Sequence, residues 1–168
     1  TRIPEFFFAC VDINHSNTAI YLKKIVFEEG SKCTEIAKRA FNGCYLLESV
    51  NLPEGLTSIA ERAFVACNSL KGIDLPSTLT SMGEAAFGNC SSITRVVIPD
   101  KLAVVPSDAF YECLSLKEVT ISDGVTEICS EAFWDCPITV LNIGENSKLT
   151  TIGSSAFTNA RMVSVYIP

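Results

Sequence analysis

Histidine occurs once in this 168-residue chain, as His15, and the scarcity excludes most catalytic and metal chemistry. A lone imidazole without a nucleophile motif is ordinarily a surface or packing residue. The sequence has no G-x-S-x-G, no phosphate-binding G-x-x-x-x-G-K-[ST] and no H-E-x-x-H. Its carboxylates lie scattered through turns, at Glu54, Asp100, Asp123 and Glu145, with no paired spacing. No enzyme activity and no cofactor are therefore expected. Basic residues are also few: 13 Lys and Arg against 19 Asp and Glu give a net charge of −6. Without a basic cluster, nucleic acid and anionic membrane are poor partners. The apolar run over residues 6–11 is far too short to cross a bilayer, so membrane insertion is not expected. No C-x-x-C or Cys/His spacing offers a metal site. The chain lacks an initiator methionine and a leader, which leads us to expect a fragment of a larger protein.

What is present is a repeat. Ala-Phe recurs at Phe41, Phe64, Phe87, Phe110, Phe133 and Phe157, at spacings of 23, 23, 23, 23 and 24 residues. A fixed period of this length is the mark of a stacked repeat protein. Four consecutive modules align without gaps on the template L-x-x-I-x-I-P-x-x-L-x-x-I-x-x-x-A-F-x-x-C. L-x-x-I-x-I alternates with period two and carries β-branched residues, so it predicts a short strand, ended by proline. The later L-x-x-I stretch is open to reading as a second, looser extended segment. Ala-Phe-x-x-Cys has the spacing of a single helical turn. The sixth module is one residue short after Cys136 and two residues long after Ile143, and both changes fall in turns. The expected domain is a single array over residues 22–168, preceded by a degenerate repeat or cap over residues 1–21. In that first stretch Phe8 and Val11 hold apolar slots, His15-Ser16 stands where Ala-Phe belongs, and Ala19 takes the cysteine slot. A single module cannot bury its own apolar face, so stability must come from stacking.

Five of the eight cysteines, Cys44, Cys67, Cys90, Cys113 and Cys136, occupy one slot per module, where the sixth has Ala160. A slot that accepts alanine calls for a small apolar group, so these read as buried thiols. Adjacent strands are close enough that distance alone does not exclude disulfides. Cys129 shares a small-residue slot with Ala60, Gly83, Pro106 and Gly153, and Cys10 has no comparator.

The template resembles the BspA-type leucine-rich repeat over residues 22–168. The resemblance implies an α/β-class, right-handed leucine-rich-repeat solenoid with one parallel-sheet strand per 23-residue repeat, mostly β with short helical turns. It also implies export to the cell surface or medium and adhesion to a host, matrix or other cell-surface protein, without catalytic residues. On such a solenoid the residues flanking the middle strand apolar face outward on a concave sheet. The candidate binding residues there are Ser49, Asn51, Asp74, Arg95, Val97, Glu118, Thr120, Asn142 and Tyr166. A plain solvated sheet explains these columns equally well. A second column, through Tyr111 and Trp134, predicts stacked aromatic neighbours, as binding anchors or as packing over the turn. Three functions stay open: a protein-binding adhesion module, a structural spacer holding another domain away from the cell, and a carbohydrate-binding surface. Raw sheet edges leave association between copies open as well.

Overall fold

The computed structural model describes residues 2–3, 21–163 and 165. The segment expected to form the degenerate repeat lies almost wholly outside them, with Phe8, Cys10, Val11, His15 and Ala19. Tyr166 lies outside them too.

The modules build two parallel ladders, and the third module contributes a strand to the second ladder alone. The first sheet takes the L-x-x-I-x-I segments: β2 (Lys24–Val26) pairs with β4 (Ser49–Asn51), and β7 (Arg95–Ile98), β9 (Glu118–Ile121) and β11 (Val140–Ile143) pair in sequence order. Every pairing is parallel and joins equivalent template positions, as in Val96 to Val119 to Leu141. The second sheet takes the later L-x-x-I stretch as two-residue strands. One group is β1 (Arg2–Ile3), β3 (Glu35–Ile36), β5 (Ser58–Ile59) and β6 (Ser81–Met82); the other is β8 (Val104–Val105), β10 (Glu127–Ile128) and β12 (Thr151–Ile152). The later L-x-x-I stretch, open in the sequence to reading as a second extended segment, thus adds a second ladder beside the expected strand.

The Ala-Phe turn differs from expectation as well. It is not a helical turn. In the first module the amides of Ala40, Asn42 and Cys44 donate to carbonyls three residues back, while those of Arg39, Phe41 and Gly43 donate to Glu61, Ala63 and Val65 of the next module. Two slots per turn take left-handed backbone with φ between 53° and 74°: that of Arg39, Arg62, Ala85, Asp108, Glu131 and Ser155, and that of Gly43, Ala66, Asn89, Glu112, Asp135 and Asn159. The alternation aims every second amide along the stack. The turns therefore form a third hydrogen-bonded column, here called the ridge, which runs through all six modules.

Between the ladders sits one apolar core. Phe41, Phe64, Phe87, Phe110 and Phe133 are fully buried. With half-buried Phe157 they form a pile of nearly parallel rings, with centroids 5.1–5.4 Å apart. The aromatic spacing matches the strand repeat, so one period serves both backbone pairing and ring stacking. None of the seven described cysteines forms a disulfide. The buried thiols of Cys67, Cys90, Cys113 and Cys136 each donate to the carbonyl of the phenylalanine one module earlier, Phe41, Phe64, Phe87 and Phe110, at 3.0–3.3 Å. Alanine fits the slot, but only cysteine supplies this donor.

Candidate recognition face

The outward side chains of the first sheet follow from its register. Arg95, Glu118 and Val140 stand opposite one another on β7, β9 and β11, as do Val97, Thr120 and Asn142. Ser49 and Asn51 align instead with Lys24 and Val26. Ser49, Asn51, Asp74, Arg95, Val97, Glu118 and Asn142 are exposed, and Thr120 is half-buried. Tyr166 lies outside the described residues.

These residues divide into two sets. The Arg95–Asn142 set stands on three paired strands. The Ser49–Asn51 set stands on β4. Between them, residues 71–75 form no strand, and Gly72 leaves space, with no atom within 4 Å of where a Cβ would be. The result is a shallow depression of about 340 Å³ lined by Glu48, Ser49, Asp74, Thr94 and Arg95 among others. At its rim Lys71 pairs with Glu48 at 3.4 Å. Across this face exposed Val26, Val97 and Val140 add apolar area between the polar groups. Val26 is absent from the sequence-based candidates, although the template aligns it with Asn51 and Val97.

Asn51 is committed to the fold. Its carboxamide accepts from the Phe27 amide at 3.0 Å and donates to the Phe27 carbonyl at 3.3 Å, clamping one module to the next. We expect Asn51→Ala to lower stability by about 1 kcal/mol without changing partner affinity. Parallel urea titrations and binding isotherms check both halves of that statement.

The aromatic column behaves as packing. The Tyr111 ring lies over Gly88, so close that a Cβ there would collide with it, and both Tyr111 and Trp134 are half-buried. Tyr111 thus leans back on the preceding module. On the ridge, Lys38 bonds Glu61 at 2.7 Å and holds its carboxyl below the ordinary range. Burial, reinforced by Glu131, raises that of Asp108. No group of three or more metal-ligating side chains occurs among the described residues, and no helix there is long and apolar enough to cross a membrane.

The sequence profile of the BspA type leucine rich repeat region matches residues 34–164 in six copies. The chain belongs to that family. A solved structure of a leucine rich cell surface protein from Faecalibacterium prausnitzii is 30% identical and superposes with a TM-score of 0.73, covering 85% of this chain and 38% of that one. The leucine-rich repeat protein of Treponema pallidum is 26% identical with a TM-score of 0.65, over 82% of this chain and 69% of that one. A Bacteroides ovatus repeat protein, 24% identical with a TM-score of 0.72, shares the fold over 99% of this chain and 46% of its own. The chain therefore spans less than half of the F. prausnitzii and B. ovatus proteins. No curated protein matches it.

Proposed function

We propose that this chain is a non-catalytic protein-binding module of a cell-surface or secreted protein, and that it recognises its partner through the outer face of β7, β9 and β11. One observation carries the reading: Arg95, Val97, Glu118, Val140 and Asn142 are exposed on strands locked in register, with no part in the core. A preformed sheet loses little conformational entropy on binding, and its outward side chains can vary without cost to packing. Family membership and the likeness to a bacterial cell surface protein support placement outside the cell.

The test begins with capture of host-surface and matrix proteins by the whole chain, followed by the double change Arg95→Glu with Val97→Asp. We expect at least a tenfold loss of affinity for a verified partner, with the melting temperature unchanged. Full binding by the folded double variant would move the site off this face. The absence of any partner across the panel would favour the spacer.

A further inference from the structure

We propose that the solenoid contains one built-in joint, between its third module (residues 70–92) and its fourth (residues 93–115), where neither sheet carries a backbone hydrogen bond across while the ridge stays continuous. The proposal rests on backbone bonding and is independent of the binding role above.

Other neighbouring modules are joined through sheet pairing as well as the ridge. The second and third pair through β5 and β6, the fourth and fifth through β7–β9 and β8–β10, and the fifth and sixth through β9–β11 and β10–β12. At the third–fourth boundary, among the described residues, no backbone hydrogen bond crosses in either sheet. In the other rungs, except at the third module of the first sheet where Lys71 alone bonds Glu48, the two amides that begin the rung share one carbonyl of the preceding module: Lys117 and Glu118 donate to Thr94, and Thr126 and Glu127 donate to Ala103. Their counterparts Thr94 and Arg95, and Ala103 and Val104, make no such bond to Lys71 or Thr80.

The sequence supplies the causes. Gly72 lies in the strand segment of the third module, where glycine weakens extended backbone and packs no side chain. In the second sheet, Ala60, Gly83, Cys129 and Gly153 each donate their amide to the preceding module at 2.7–2.9 Å, but the fourth module has Pro106 in that slot, with no N–H to give. Threonine hydroxyls brace the same sheet, from Thr57 to the Thr34 carbonyl, Thr80 to Thr57, Thr126 to Ala103 and Thr150 to Thr126. Ala103 cannot make the corresponding bond to Thr80. Gly72 thus interrupts the first sheet on both sides of the third module, and Ala103 and Pro106 remove two second-sheet bonds at its boundary with the fourth.

What does cross the joint is the ridge, through amides of Ala85, Phe87 and Asn89 to carbonyls of Ser107, Ala109 and Tyr111 at 2.7–3.1 Å, with the Phe87–Phe110 stack and the Cys113 thiol beneath it. Strands β6 and β8 still lie side by side, so the boundary is in contact in the second sheet but held by backbone hydrogen bonds along the ridge alone. The depression lined by Gly72, Asp74 and Arg95 is where the first sheet parts.

Amide exchange read residue by residue tests the joint on the intact chain. The amides of Thr94, Arg95, Ala103 and Val104 are expected to exchange at least about tenfold faster than Lys117, Glu118, Thr126 and Glu127, their matched positions one module on. The triple variant Gly72→Val, Ala103→Thr, Pro106→Ala restores a side chain, a hydroxyl and an amide donor, each of a type present in the same slot of another module. It should bring the four rates to within about threefold of their matches. Equal rates in the wild-type chain overturn the proposal, whether or not the variant folds. So does a folded variant whose four amides still exchange as fast as before.

Discussion

Truncation of Phe87 to alanine is expected to lower stability by about 3–5 kcal/mol, enough to unfold a domain of ordinary stability at moderate temperature. The ring is fully buried between Phe64 and Phe110, at 5.2 and 5.4 Å. Its loss opens a cavity and removes two stacked pairs, each worth about 0.5–1.5 kcal/mol beyond burial. The position also bears on the third–fourth boundary, where core and ridge do the work that sheet pairing does elsewhere. Phe87→Ala is therefore expected to cost more than Phe64→Ala, although the two side chains are buried alike. Phe157→Ala, at the half-buried end of the pile, should cost least. Urea unfolding midpoints for the three variants give the ranking. Equal losses at Phe87 and Phe157 would show that the pile is not a continuous core.

The second large effect is alkaline. Burial pushes the thiols of Cys67 and Cys113 well above their ordinary range, reinforced by the neighbouring Cys90 and Cys136. In the unfolded chain both ionise near pH 8.5, while in the folded protein they stay protonated. The stability they contribute is thus fully present below the unfolded value and is lost as pH rises toward the folded one. Each thiol that ionises only on unfolding therefore lowers stability progressively as pH rises through that window. Melting temperatures under reducing conditions should fall as pH rises above about 8.5. In Cys67→Ala with Cys113→Ala, which copies Ala160 in the same slot, the profile should be flatter although the start is less stable. Parallel slopes in the two proteins would mean that other groups govern the alkaline limit.

The repeat register was legible in the sequence because the hydrophobic template, its indels and the stack agree on one period. The strand order and the phenylalanine core follow from that register alone. Two features were not fully legible, each for a local reason. The second sheet was open in the sequence only as a loosely extended segment, because its two-residue strands pair with neighbours 23 residues away. The Ala-Phe turn has helical spacing because a chain of three-residue turns also returns a side chain to the same face after three positions. Only the left-handed backbone distinguishes the two, and residues such as Arg62, Ala66 and Glu112 do not advertise it as glycine would. On the candidate face, alternation pointed to the outward side chains, but the clamp from Asn51 to Phe27 could not be read. Nor was the joint apparent. Gly72, Ala103 and Pro106 are visible as departures from their columns, yet they meet at one boundary only when both sheets are known.

The ridge also has an evolutionary consequence. Each layer passes the same set of amide bonds to the next, Phe to Ala one period on, whatever its outward residues are. Unequal exchange between neighbouring copies of the coding sequence would therefore add or delete whole layers without creating a mismatched seam. Array length and surface pattern become separate inheritable traits: duplication sets reach, and point substitution in the outward columns sets what is displayed along it.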